Sequence, residues 1–185
     1  MERRSSGGGF FRDEEELFAA IEREVGPEAA QAARRSRQLM RNPRPLTDAE
    51  RADLRAAMEP VLRDLRGSGA IVPDVVEQAR EDLGPDCVPA WIQPPGTAGS
   101  LVAGSQGIRV LLGLSLPERL ADLADQLQEW EVEELAAAGR PATWPECPEH
   151  PDSHPLAPQA RGGQAVWCCP RTGQAISAIG ALRPG

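Results

Sequence analysis

The sequence predicts an α+β protein: amino-terminal helices, a small central sheet packed on one long helix, and a carboxyl-terminal three-stranded β-meander. Three observations carry this expectation. Leu116, Leu120, Leu123, Leu127 and Trp130 recur at helical spacing and mark a buried stripe. "CVPAWIQP" and "GIRVLLGL" read instead as strands, the second with Ile108, Val110 and Leu112 on one side. Gly162 and Gly163, inside "LAPQARGGQAVWCCP", suit a two-residue hairpin turn. A length of 185 residues accommodates one domain with appended chain. Phe, Trp and Tyr number three, four and none, so the core must be mostly aliphatic.

Taken in order, residues 1–45 read as a mobile, partly helical arm, 46–140 as the α+β core and 141–185 as the β module. The Gly/Ser-rich, charged residues 1–11 have the composition of a disordered segment. Helical composition runs from Arg12 to Met40, broken at Gly26 and Pro27, with Leu17, Phe18 and Ile21 as a short apolar stripe. "NPRP" reads as a linker. "TDAE" is a capping box, with Thr47 as N-cap and Glu50 reaching back to its amide. Leu54, Met58, Val61, Leu62 and Leu65 then give one buried helical face, and Pro60 predicts a kink or break at Glu59. A shorter helix is expected from Asp74 to Leu83, with Pro73 in its first turn and Gly84-Pro85 closing it. The Gly/Ser-rich stretch between the two strands lacks the lysine of a phosphate loop and reads as a plain flexible connection. The long helix, residues 116–138, begins at a second capping box, Ser115 with Glu118, and stops at Gly139 and Pro141. Glu129, Glu131, Glu133 and Glu134 read as its solvated acidic face.

Charge narrows the function classes. All twenty basic residues are arginine, a bias that a GC-rich genome supplies without any special role for the side chain. The net charge of -8 is concentrated centrally: residues 1–60 carry 11 Arg and 12 acids, 61–139 carry 5 and 13, and 140–185 carry 4 and 3. The acidic middle argues against a phosphate-tracking surface there. The five acid-free arginines of "RRSRQLMRNPR" could touch nucleic acid, although a solvated helix face is the simpler account. No signal-peptide core or membrane-length apolar run is seen, so the expected location is cytoplasmic, with no membrane partner. In a reducing compartment cysteines serve as thiols or metal ligands rather than disulfides.

That matters for "WPECPEHPDSHPL", residues 144–156, which holds one of four cysteines and both histidines of the chain. Cys147, His150, His154 and Cys169 form C-x2-H-x3-H-x14-C. Thiolate and imidazole are zinc ligands, and the short x2 spacing lets one tight turn supply two of them. The Gly162-Gly163 turn brings the distant cysteine back, because counting outward pairs Arg161 with Gln164 and Leu156 with Cys169. Neighbouring strand side chains point to opposite faces, so Cys168 and Cys169 do not both reach one metal. The count favours Cys169, with Cys168 as the alternative if a one-residue bulge intervenes. A third strand in "QAISAIGAL" completes a meander with Val166, Trp167, Ile176 and Ile179 as its core. Zinc would clip a sheet too small to bury much by itself. Two other accounts stay open: ordinary loop histidines, and a catalytic zinc with three protein ligands assisted by Glu146, Glu149 or Asp152. No H-E-x-x-H and no zinc-deaminase motif is present, and no catalytic residue is assigned.

The segment "ATWPECPEHPDSHPL…AVWCCPRTG…AIGAL", with "LADLADQLQEWEVEELAAAGRP" before it, resembles small proteins of GC-rich actinobacterial genomes that end in a C-P-x-H-P…H-P-L…W-x-C-P module. The resemblance covers about residues 46–183. It implies that the cysteine before proline, Cys169, belongs to the module, and it carries no activity. The leading expectation is a non-enzymatic protein-interaction or regulatory protein with a structural, zinc ribbon-like site and an unknown protein partner. The alternatives are a nucleic-acid-associated zinc protein using the arginine-rich arm, which the net charge disfavours, and a zinc-dependent hydrolase.

Overall fold

The computed structural model describes residues 14–41, 44–79, 86–97 and 102–182. The chain divides into two compact units, Met1–Arg44 and Pro45–Gly185. The first is a helical hairpin of α1 (Glu14–Glu24) and α2 (Pro27–Arg41), turned at Gly26 with Pro27 opening the second helix. Phe18 and Ala30 are buried in it. Arg34 stacks 5.5 Å from the Phe18 ring centroid and pairs with Glu22 at 3.5 Å, so this arginine is engaged within its own hairpin. The stretch 1–11, the linker residues 42–43 and the Gly84-Pro85 stop lie outside the described residues, as do residues 98–101 of the inter-strand connection.

The second unit is α+β, with two three-stranded antiparallel sheets packed with two helices. It opens with α3 (Asp48–Ser68), which Thr47 and Glu50 cap reciprocally: the Thr47 amide donates to Glu50 Oε2 at 2.7 Å and the Glu50 amide to Thr47 Oγ1 at 3.3 Å. Of the kink or break expected at Glu59, the break does not occur, and α3 runs through Pro60. Pro60 is covered by Gly180, where a Cβ would sit 2.9 Å from the proline Cβ, so the irregular point of the helix is also a close packing point. Of the helix expected from Asp74 to Leu83, the described residues 74–79 are not helical, and 80–83 lie outside the described residues. The segment begins with β1 (Asp74–Glu77), antiparallel to β2 (Cys87–Gln93), which pairs in turn with β3 (Gln106–Leu111). Val75 and Val76 are β-branched, and a paired edge outweighs the helical start that Pro73 suggests. β2 is the central strand yet contains Pro89. The conflict is resolved because β1 ends at Glu77, opposite Ala90, so Pro89 has a ladder partner only on the β3 side.

α4 (Leu116–Ala137) packs against α3, β3 and the second sheet. Its Ser115 amide donates to Glu118 Oε2 at 2.9 Å. Leu123, Leu127 and Trp130 are buried as the stripe requires, whereas Leu116 is exposed in the first turn. The acidic face needs a correction: Glu129 and Glu133 are exposed, but Glu131 is fully buried, on the same face as Leu127 and Leu135. The second sheet is the meander β4 (Ala157–Arg161), β5 (Gln164–Cys168) and β6 (Ala175–Ala178). Gly162 and Gly163 take φ of 55° and 76° between β4 and β5, the positive pair that a two-residue type I′ turn demands. Arg161 pairs with Gln164, and the ladder runs to Ala157 opposite Cys168. One hydrophobic core joins Leu54, Val61 and Leu65 to Ile92, Leu127, Trp130, Leu156, Trp167 and Cys169. The meander therefore does not stand alone; helices α3 and α4 complete its burial. No helix of the described residues is long and apolar enough to cross a membrane.

Candidate metal centre

Three donors come from one loop, between α4 and β4. Its base is closed by backbone and side chain together: the Leu156 amide donates to the Pro145 carbonyl at 2.7 Å, and Glu146 bridges to Pro155. Gln128 of α4 then donates from Nε2 to the carbonyls of Trp144 (2.8 Å) and Leu156 (2.7 Å), one at each end of the loop. A single amide thus clamps both loop ends to the helix. Within the loop the His150 amide donates to the Cys147 carbonyl at 3.1 Å, the tight turn expected of C-x2-H. The Asp152 amide donates to Glu146 Oε1 at 3.0 Å, which supports the positive φ of 57° at Asp152.

The fourth donor lies just past β5, in the turn Cys169-Pro170-Arg171-Thr172-Gly173. That turn is closed by the Gly173 amide on the Cys169 carbonyl at 2.8 Å and the Cys169 amide on the Gln174 carbonyl at 2.9 Å. The result is a group of Cys147, His150, His154 and Cys169 whose donor atoms all lie within 4.8 Å of one another, able to hold a metal ion. Cys147 Sγ is 3.6 Å from His150 Nδ1, and Cys169 Sγ is 3.5 Å from His150 Nδ1 and 3.8 Å from His154 Nε2. Both cysteines are buried and both histidines half-buried. Cys168 points elsewhere: its Sγ is 4.0 Å from Arg161 Nη1, and it is not part of the group. The pairing does shift between Trp167 and Cys168, but on the β6 side only, so the β4–β5 count from the turn is undisturbed.

The electrostatics favour ligating forms. Burial pushes the Cys169 thiol up, but the Thr172 hydroxyl and amide, the Arg171 amide and the Cys147 thiol hydrogen-bond to it and bring it down to about 6. Cys169 is then largely thiolate at neutral pH. His154 Nδ1 lies 2.9 Å from the Pro155 carbonyl. A proton on Nδ1 makes that bond and leaves the Nε2 lone pair for the cluster, an arrangement that orients a metal-binding imidazole.

The scaffold behind the group includes residues that pattern reading overlooked. Asp64 of α3, 1% exposed, accepts from Trp167 Nε1 (2.8 Å), the Gly180 amide (2.7 Å) and the Leu182 amide (2.8 Å). Ser68, one turn on, accepts from Trp144 Nε1 at 2.8 Å. Trp144 and Trp167 meet edge to face at 5.4 Å between centroids. Two polar side chains of one helix therefore fix the two indoles that flank the donor loop and the strand leading to Cys169. Both follow the helical spacing of Ala57 and Val61, so polar residues in a core register were the available signal.

Comparison with protein-family models, with curated proteins and with solved structures finds no match.

Proposed function

We propose that this group holds one structural zinc ion and that the protein is a non-enzymatic interaction or regulatory protein built around it. The mutual spacing of the donors carries the reading. With bonds of about 2.3 Å to sulfur and 2.0–2.1 Å to nitrogen, a tetrahedral zinc shell sets each sulfur–nitrogen edge at about 3.6 Å. Three of the four such edges here are 3.5, 3.6 and 3.8 Å, and all the donors lie within 4.8 Å of one another. Two thiolates with two imidazoles suit zinc and are foreign to magnesium or calcium, which take oxygen. Four donors within 4.8 Å fit a single ion.

A closed set of four protein ligands leaves no position for water or substrate, which supports a structural rather than a hydrolytic ion. Glu146, one of the three carboxylates offered as a general base for a hydrolase, is engaged by the Asp152 amide. Arg34, one of the arginines the nucleic-acid alternative needs, is engaged within its hairpin. A protein partner remains the favoured kind, with exposed Asp125, Glu129 and Glu133 of α4 as contact carboxylates. Zinc-edge X-ray absorption tests the site: two sulfurs and two nitrogens are expected in the shell. An oxygen in place of one protein donor would move the assignment to the hydrolase.

A further inference from the structure

The geometry points to a redox-releasable site, in which a peroxide oxidant joins Cys147 to Cys169 and the metal leaves. This rests on reading the group as a metal centre. The two sulfurs belong to a set packed within 4.8 Å, so side-chain rotation and a small loop movement bring them to the roughly 2.05 Å of a disulfide. They are also the only thiols of the set, the other two donors being imidazoles that this chemistry leaves intact. One disulfide therefore removes both sulfur ligands together, and two histidines alone are a weak site for a divalent ion. An all-cysteine site would keep half of its thiolates after the same event.

Access and selectivity point the same way. A cleft of about 980 Å³ opens between the ends of α3 and α4 and the donor loop, lined by Ser68, Arg140, Glu146, Leu182 and Cys147 itself. Of the four donors only Cys147 is among the lining residues of this cleft; its side chain is buried, so a molecule as small as hydrogen peroxide reaches the sulfur from this side through a local opening of the donor loop. Cys168, although adjacent to Cys169 in sequence, is buried outside the group beside Arg161. A single product is expected.

The step balances. The Cys147 thiolate attacks one peroxide oxygen, breaking the O–O bond, and becomes a sulfenic acid as hydroxide leaves. The Cys169 thiolate then attacks the Cys147 sulfur and expels a second hydroxide. Two thiolates lose two electrons in all; hydrogen peroxide takes them and, with two protons, becomes two waters. The ion departs with its charge unchanged.

The test uses the full-length protein, its metal content measured before any oxidant is added. Hydrogen peroxide is titrated in while a chromogenic chelator reports released ion and peptide mass spectrometry maps the thiols. We expect one ion released per disulfide, a Cys147–Cys169 linked peptide lighter by two hydrogens, and recovery of binding with dithiothreitol and zinc. Cys168→Ser should release its ion with the same peroxide dependence. Release without that linked peptide, a disulfide that includes Cys168, or retention of the ion under excess peroxide would each overturn the inference. Absence of metal at the outset would contradict the metal reading alone, and the peptide map would still decide whether these two sulfurs pair.

Discussion

Replacing Glu131 by glutamine should stabilise the protein, and by an amount that grows with pH. Glu131 is wholly buried in α4; its Oε1 accepts from the Ile71 amide at 2.8 Å, while Oε2 has no partner. Burial raises its pKa from 4.5 to about 7, against the opposing pull of the Ile71 amide and Arg140 and with some help from Glu134. A carboxyl raised in this way binds more protons folded than unfolded between those two values. Its contribution to stability is complete below pH 4.5 and is lost as pH climbs through about 7. With about 1.4 kcal/mol per pKa unit, wild type should lose about 2–3 kcal/mol relative to Glu131→Gln between pH 5 and pH 8. The amide keeps the acceptor for Ile71 and places a neutral donor where the protonated acid would have one, so the variant lacks the titration. Urea unfolding of both proteins at several pH values, followed by tryptophan fluorescence, reads the gap directly, and effects of pH on the metal centre cancel in the comparison. A gap independent of pH would refute the reasoning. A gap favouring wild type at high pH would mean that the Ile71 amide and Arg140 outweigh burial.

Removing the Asp64 carboxylate should be costly. Asp64→Ala leaves the buried Trp167 indole and the half-buried Gly180 and Leu182 amides without their acceptor and is expected to destabilise by about 3 kcal/mol, with Asp64→Asn milder because one acceptor survives, measured by denaturant unfolding. At the cysteine doublet, Cys169→Ser should abolish metal binding and Cys168→Ser should retain it, as read by metal content after dialysis. Stripping the ion with a strong chelator should weaken the near-ultraviolet signal of the Trp144–Trp167 pair while the far-ultraviolet helical signal largely persists. Loss of both together would mean that the helices depend on the metal as much as the meander does.

Elements whose signal is local were legible in the sequence. Both capping boxes name their helix starts, and the Gly162-Gly163 turn sets a register from which the position of Cys169 beside the histidines follows by counting. The errors lie where tertiary pairing overrides a local preference. Pro73 and the polar residues after it suggest a helix, but β2 offers Val75 and Val76 a ladder. Pro60 predicts a kink or break, and the break is averted where Met58 and Val61 on either side of it are buried in the core. Glu131 looks like one more solvated acid until its helical position is compared with Leu127 and Leu135. Gln128, which clamps the donor loop, and Asp64, which holds Trp167 on the strand leading to Cys169, are polar side chains acting at separations of 16 to 118 residues, beyond the reach of any local pattern.

The central claim is that "CPEHPDSHP" and Cys169 form a metal centre. Native mass spectrometry of the purified protein beside Cys147→Ala tests it most directly. The account predicts one zinc per chain in the wild type and none in the variant. A wild type without metal, or a variant that keeps it, would contradict the account and leave three side chains of a proline-rich loop packed against Cys169.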